Sequence, residues 1–205
     1  MRRGLIAILC LGLAVGVAAK QSLPNTLTKR EAKSGWKLLF DGKSLQGWDV
    51  HVGGDWVVQD GAIVCPGTTA GWLGTQDVFT NYDLKLQFRG GEKVNSGIFL
   101  RSQKEGQPHI TGYELQIWDY QPGGYNTGSL VGSVKALPTK ILADQWNDYE
   151  VRVQGDHYVA TLNGKTILDA HDSKHADGGV IGLQCNKSPV NKIEFRNFKI
   201  LPLGK

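Results

Sequence analysis

The stretch HYVATLNGKTILDA, residues 157–170, contains the clearest fold signal in the chain. Polar and apolar residues alternate on both sides of Asn163-Gly164, a two-residue sequence typical of a tight β-hairpin turn. Similar alternating runs recur from Trp36 onward, separated by Gly, Asn and Asp, and no segment keeps a 3.6-residue period. They include YDLKLQFR (82–89), SGIFLRS (96–102), GYELQIWDY (112–120), DYEVRVQG (148–155), GGVIGLQC (178–185) and KIEFRNFKIL (192–201). The pattern predicts an all-β fold, a sandwich or barrel, with a short helical turn near residues 142–145.

The amino terminus has the pattern of an export signal. Arg2 and Arg3 precede an apolar run over residues 5–17, and small residues end at Ala19. We therefore predict a signal peptide at 1–19, a flexible polar extension at 20–34 and one domain at 35–205. The apolar run is shorter than the ~20 residues that span a bilayer, so we expect no stable membrane anchor and a periplasmic or secreted protein.

The charge of the chain argues against nucleic-acid binding, and its cysteine content leaves one possible disulfide. Removal of Arg2 and Arg3 lowers the formal net charge from +4 to about +2, and no basic stripe of a nucleic-acid-binding protein is present. Cys65 and Cys185 remain in the exported chain, where pairing and burial as two small apolar residues are both open.

One strand has two chemically different faces. In GYELQIWDY, alternation places a carboxylate, an amide and an indole on one side, with roughly 7 Å between neighbours. Such a row suits a polyhydroxylated ligand, which needs donors, acceptors and a flat apolar surface. The alternative is an ordinary half-exposed strand. If neighbouring strands join the same sheet, one surface could carry Gln87, Asn95, Arg101, Glu114, Gln116 and Gln184.

Seven motifs in order carry a family resemblance: WKLLFDGKSLQGWDV (36–50), NSGIFLR (95–101), GYELQIWD (112–119), WNDYEV (146–151), LNGK (162–165), GVIGLQ (179–184) and EFRNFKI (194–200). On these the chain resembles the 3-keto-disaccharide hydrolases over about residues 35–203. The resemblance implies a concanavalin-like jelly roll of two antiparallel sheets that binds sugar on a concave face. It also implies action on glycosides oxidised at C3. One base would remove the C2 proton, the C1 leaving group would be expelled, and water could add later.

Site roles follow from the matching motif positions. Glu114 would be the base or a hydroxyl acceptor, and Arg101 would stabilise the C3 oxygen, with a plain cross-strand ion pair as their alternative. Substrate hydroxyls would be oriented by Asn95, Gln116 and Asp119, although Asp119 could also be a turn former. The remaining substrate-binding candidates are Trp118 or Trp72, stacking on the sugar ring, and Gln87 and Gln184. His109 could reach the cleft as a base or be an exposed loop imidazole.

Three departures from the family pattern bear on catalysis. Gln87 stands where many relatives have glutamate, Cys185-Asn186 replaces an Asp-His pair, and residues 128–132 lack the usual tyrosine. We predict no cofactor and no metal among the site residues, although a divalent ion bound by carboxylates at a jelly-roll edge stays open. Besides the enzyme acting on a glycoside or oligosaccharide, two alternatives stand: a non-catalytic carbohydrate-binding module and a structural domain with an open apolar patch. The oligomeric state does not follow from the sequence.

Overall fold

Two antiparallel β-sheets pack face to face in the computed structural model, which describes residues 23–204. The predicted signal peptide at 1–19 lies outside the described residues. The eight-stranded sheet consists of β1 (Lys37–Leu38), β3 (Val57–Gln59), β4 (Ala62–Cys65), β6 (Tyr82–Gly90), β9 (Asn147–Gln154), β10 (His157–Leu162), β11 (Lys165–His171) and β13 (Ile193–Pro202). The five-stranded sheet consists of β2 (Trp48–Gly53), β5 (Gly71–Thr75), β7 (Ser96–Ser102), β8 (Tyr113–Ile117) and β12 (Val180–Cys185).

Strand order brings distant parts of the chain together. The larger sheet runs β11-β10-β9-β6-β13-β4-β3, with β1 also pairing with β13, and the smaller sheet runs β2-β5-β12-β7-β8. Alternating residues of each strand point into the space between the sheets. From β6 these include Leu84 and Phe88, and from the smaller sheet Ile98, Leu115 and Leu183, all buried in one apolar core. The prediction of an all-β, concanavalin-like jelly-roll sandwich is confirmed.

Turns and helices agree with the sequence only in part. Asn163 and Gly164 have positive φ angles of 49° and 81° and connect β10 to β11, as the hairpin prediction required. The predicted helical turn at 142–145 is instead a single hydrogen-bonded turn, in which Gln145 N–H donates to the Leu142 carbonyl. The two short helices lie elsewhere, at α1 (Lys29–Lys33) and α2 (Pro108–Thr111).

Residues 23–34, the described part of the predicted polar extension at 20–34, make specific contacts with the larger sheet. Thr28 and Glu31 form a capping box that starts α1. Lys199 on β13 donates to both Glu31 carboxylate oxygens, at 2.9 and 3.0 Å. Asn25 donates to the Gly61 carbonyl at 2.8 Å and accepts from Asn197 N–H at 2.8 Å. These polar contacts attach the segment to the larger sheet despite its lack of apolar periodicity.

A disulfide between Cys65 and Cys185 settles the open cysteine question. It joins β4 of the larger sheet to β12 of the smaller one across 120 residues of sequence. Both cysteines are buried, so the bond crosses the core.

Neither helix within residues 23–204 has the length and apolar character needed to cross a bilayer.

Candidate functional site

The side of the five-stranded sheet that points away from the core, which we call the outer face, carries polar side chains of β8 and β12. On β8 the alternate residues Tyr113, Leu115 and Ile117 belong to the core, so Glu114 and Gln116 point away from it. Both are nevertheless nearly buried, with 7% and 3% of their surface exposed. A carboxylate and an amide are thus held in a largely desolvated position.

Strand register places further candidates on the same face. Phe99 of β7 lies opposite Glu114, and Gly97 lies opposite Gln116. Gly182 of β12 lies opposite Phe99, and two residues further along β12 lies Gln184. Gln184 in turn lies opposite Trp72 of β5. Antiparallel pairing therefore brings Glu114, Gln116, Gln184 and Trp72 onto the outer face, as predicted.

The Glu114 side chain lies across Gly97. A Cβ atom at Gly97 would come within 2.9 Å of the Glu114 Cγ and Oε1 atoms, so glycine provides the space that this carboxyl occupies. Burial raises the pKa of Glu114 to about 7, and the neighbouring Gln184 side chain offsets part of that rise. A carboxyl with this pKa can exchange a proton near neutral pH.

Two amides of the outer face have defined orientations. Gln116 Oε1 accepts from the backbone N–H of Ile117 at 3.1 Å, which leaves the amide nitrogen as the group that can donate to another partner. Gln184 Oε1 accepts from Asn186 Nδ2 at 2.7 Å. The Gln184 nitrogen is therefore the end that is turned away from Asn186.

An aromatic cluster beside these groups contains His51, which the sequence analysis missed. The His51 and Trp72 rings stack in parallel, with centroids 3.8 Å apart and planes 6° apart, and Phe99 meets Trp72 edge-on at 5.9 Å. Trp72 is only 4% exposed, so it is a buried wall of the site rather than an open stacking surface. Burial lowers the pKa of His51, which favours its neutral form. The alternation of residues 48–53, the strand β2, was the signal that could have identified His51.

Arg101 does not lie beside Glu114, which corrects both the predicted catalytic pairing and its ion-pair alternative. Its φ angle of 55° interrupts the alternation of β7, and the residue is completely buried. The guanidinium donates to the carbonyls of Thr80, Gly155 and His175, at 2.8, 2.7 and 3.2 Å. It also donates to the Tyr158 hydroxyl at 2.9 Å. Arg101 therefore connects loops at one end of the sandwich.

Gln87 lies on the other sheet. In β6 it donates to Asp148 at 2.8 Å and accepts from Arg196 and Asn197, both at 2.8 Å. The prediction that it lines the same surface as Glu114 is wrong, because β6 pairs with β9 and β13 instead of with β7 or β8.

The remaining candidates lie at the margins of the outer face. Asp119 accepts from Thr127 Oγ1 at 2.6 Å and from Ile141 N–H at 3.0 Å, which is the turn-forming alternative. Asn95 is half-buried just before β7, and its backbone bonds to Asn186 and Asn191. Trp118 follows β8 and is half-buried.

His109 is exposed, as its alternative interpretation predicted, but it lies on the short helix α2 and not in a loop.

A surface cavity of about 450 Å³ lies elsewhere, next to Arg89, Lys192 and Glu194. Glu194 pairs with both cations, so the charges that line this cavity compensate each other. Within the described ranges, no group of three or more His, Cys, Asp or Glu residues is arranged to hold a metal ion. We therefore place the candidate site at Glu114.

Comparison with known proteins agrees with this fold and this arrangement of motifs. Residues 35–201 match the model of the 3-keto-alpha-glucoside-1,2-lyase-like domain. The chain belongs to this family. A curated 3-keto-disaccharide hydrolase of Bacteroides thetaiotaomicron is 24% identical over 170 residues, which cover 67% of this chain and 59% of that protein.

Solved structures share the fold. A Parabacteroides distasonis crystal structure, provisionally named a glycosyl hydrolase, superposes with a TM-score of 0.75 at 24% identity, covering 89% of this chain and all of that one. The carbohydrate-binding module CBM66 of Bacillus subtilis gives a TM-score of 0.59 at 15% identity, covering 75% and 94% of the two chains.

In this member of the 3-keto-alpha-glucoside-1,2-lyase-like family, the residues that depart from the family pattern make structural contacts. Cys185, at the position of an aspartate, forms the disulfide, and Asn186, at the position of a histidine, donates to Gln184. Val131 stands where the pattern has tyrosine, and its N–H donates to the Glu114 carbonyl at 3.0 Å. The segment around Val131 thus covers the free edge of β8 beside the site.

Proposed function

We propose that this protein is an exported enzyme that cleaves 3-keto-glycosides, with Glu114 as the base that removes the C2 proton. The observation that carries the proposal is a nearly buried carboxyl on the outer face whose pKa is raised to about 7. Family membership and the name of the curated relative support the substrate class.

The chemistry needs one base rather than the two carboxyl groups of ordinary glycoside hydrolysis. A C3 ketone acidifies the C2 proton, and its transfer to the Glu114 carboxylate leaves an enolate across C2 and C3. Collapse of the enolate re-forms the ketone, creates a C1–C2 double bond and expels the C1 oxygen, which takes a proton. Addition of water across that double bond would complete net hydrolysis. A base with a pKa near the working pH suits the first step.

The enolate oxygen needs a hydrogen-bond donor, and the outer face offers amides. Gln116 presents its nitrogen, because its oxygen is already bonded to the backbone. We assign it the donor role that the sequence analysis gave to Arg101. An amide of fixed orientation needs little reorganisation as negative charge develops.

Export is part of the proposal. The amino-terminal signal pattern motivates it, and the buried Cys65–Cys185 disulfide supports it because such bonds persist mainly in oxidising compartments.

The decisive experiment compares Glu114→Gln with the wild type on a 3-keto-disaccharide. We expect turnover to fall at least ~100-fold, in the range of a lost general base. Wild-type turnover should rise with pH through about 7 and then level, because Glu114 must be ionised to accept the proton.

Glu150→Gln is the matched control, since Glu150 is an exposed carboxylate on the other sheet. It should leave turnover unchanged. If Glu114→Gln retains wild-type turnover, Glu114 has no role in proton transfer.

A carbohydrate-binding module is the second candidate, favoured by the burial of Arg101, which removes the predicted cation from the outer face. Calorimetric binding of unoxidised glycans, with no sugar or 2-hydroxy-3-keto-glycal released from a 3-keto-disaccharide, would favour the module over the enzyme.

A further inference from the structure

We propose that Arg196, on the outward-facing surface of the larger sheet, binds the carboxylate of a uronic acid and forms a second sugar-binding site. The side chains that build this site belong to β6, to β13 and to the residue before β9. None of them takes part in the proposed chemistry on the smaller sheet, so the inference does not rest on the role of Glu114.

The Arg196 guanidinium is held over an aromatic ring. Its central carbon lies 3.9 Å from the centroid of the Trp146 ring, and the central carbon of Arg89 lies 4.7 Å from the same centroid. The Arg196 Nε donates to Gln87 Oε1 at 2.8 Å, and Gln87 Nε2 in turn donates to Asp148 at 2.8 Å. The ring contact and the Nε bond together restrict the guanidinium, so its remaining donors have a defined direction.

The two terminal nitrogens of Arg196 have no hydrogen-bond or ion-pair partner among residues 23–204. The side-chain atoms that are buried without a partner in that range belong to His51, Trp56 and Tyr82, so the Arg196 nitrogens are open to solvent.

Arg152, on the same surface, shows what a filled guanidinium looks like. Its Nε and Nη2 atoms bind the two oxygens of the Asp83 carboxylate, at 2.6 and 2.7 Å. Paired N–H groups in one plane match the two oxygens of a planar carboxylate. Arg196 therefore presents the kind of donor pair that Arg152 uses for Asp83.

The surrounding charges favour one carboxylate over a polyanion. Arg89 and Lys192 both contact Glu194, which leaves Arg196 as the cation of this cluster without a carboxylate partner among the described residues. Burial, followed by the proximity of Arg89, lowers the pKa of Arg196, and a bound anion would offset this effect. The nearby carboxylates balance the cations one for one: Asp144, Asp148 and Glu194 against Arg89, Lys192 and Arg196. Without a net positive potential, a polyanion gains no long-range attraction.

The cavity beside this guanidinium suits a sugar ring. Arg89, which shares the Trp146 ring with Arg196, also lines the cavity of about 450 Å³, a volume within the range of ligand pockets. Its wall includes Val190, which is 50% exposed, and the exposed carboxylate of Asp144. These side chains offer an apolar surface and a hydroxyl acceptor. A uronic acid would place its carboxylate on Arg196 and its ring in the cavity.

The test measures binding of sodium glucuronate to the wild-type protein by ¹⁵N NMR, with the indole N–H of Trp146 as the reporter. Glucose, acetate and inorganic phosphate are the comparison ligands. We expect glucuronate to bind in the millimolar range and at least ~10-fold tighter than glucose, because a charge-assisted bidentate contact is added. Acetate lacks the ring and phosphate is not planar, so both should bind more weakly than glucuronate.

Arg196→Lys keeps the positive charge but removes the planar donor pair, and it should weaken glucuronate binding at least ~10-fold. Arg196→Gln is a second variant in case lysine disturbs folding, which the melting temperature checks. Arg152→Lys is the matched control. Its guanidinium is already occupied by Asp83, so this variant should bind glucuronate like the wild type.

Equal affinity for glucuronate and glucose would overturn the proposal, as would tighter binding of acetate or phosphate. Absence of a saturable shift of the Trp146 resonance, or wild-type affinity in folded Arg196→Lys and Arg196→Gln, would do the same. The comparison of ligands on the wild type needs no variant, so it decides the question even if both substitutions prevent folding.

Discussion

The outward-facing surfaces of the two sheets arise from the same alternating pattern, but they differ in whether their carboxylates have cationic partners. On the larger sheet, carboxylates have cationic partners: Lys85 contacts Glu150 at 3.0 Å, and Arg152 contacts Asp83 at 2.6 Å. On the smaller sheet, Glu114 has an amide neighbour, Gln184, and is nearly buried.

The presence or absence of cationic partners distinguishes the solvated surface of the larger sheet from the candidate site on the smaller sheet. Paired charges at an exposed position contribute little energy and place no unusual demand on the fold. A buried carboxyl with a raised pKa costs stability, and such groups are concentrated at functional sites. Period-two alternation alone therefore does not identify a site, and it is burial without charge compensation that makes Glu114 the candidate.

The disulfide is expected to make the largest contribution to stability, because it connects the two sheets. Replacing Cys65 and Cys185 together by serine should lower the free energy of unfolding by about 5 kcal/mol, the loop-closure value for a 120-residue separation. Urea denaturation measures this change. Reduced wild type should match the double variant. If reduction has no effect, the two sheets are held together by their core alone.

Substitution of Arg101 distinguishes a structural role of this buried cation from a catalytic one. Arg101→Met should cost about 3 to 4 kcal/mol, because the buried guanidinium and its bonds to three carbonyls and the Tyr158 hydroxyl are lost. The matched control is Arg152→Met on the larger sheet, where an exposed pair should cost less than about 1 kcal/mol. Loss of turnover at unchanged stability in Arg101→Met would return Arg101 to the catalytic machinery.

The pH dependence of stability should differ between variants of Glu114 on the smaller sheet and variants of the Lys85–Glu150 pair on the larger sheet. The folded-state pKa of Glu114, about 7, exceeds its value of 4.5 in an unfolded chain. The stabilisation from the protonated form is fully present below pH 4.5 and is lost as the pH rises through about 7. Glu114→Gln should therefore be more stable than the wild type at pH 8, by up to about 3 kcal/mol.

That advantage should disappear by pH 4.5, as measured by urea denaturation at several pH values. Removal of the exposed Lys85–Glu150 pair should change stability by less than about 1 kcal/mol at pH 8. Equal stability of Glu114→Gln and wild type at every pH would show that Glu114 is as well solvated as Glu150, and the contrast between the faces would fail.

Much of the fold could be predicted because strand signals are local. The Asn163-Gly164 hairpin and the alternation of β6 and β8 follow from neighbouring residues. The ordered motifs identified the family, whose model matches residues 35–201. The docking of residues 23–34 could not be predicted, because it depends on a few polar contacts such as Lys199–Glu31 between residues far apart in sequence.

The candidate site likewise has features that could be predicted from the sequence and features that could not. Glu114 and Gln116 share a side because strand geometry alternates, and this needed no knowledge of the tertiary structure. The positive φ at Arg101, the assignment of Gln87 to the other sheet and the approach of Asn186 to Gln184 depend on which strands pair. By itself, the sequence determined which side chains face the same way along one strand. Only tertiary structure decided which faces meet across strands, because register and burial are set by long-range pairing and core packing.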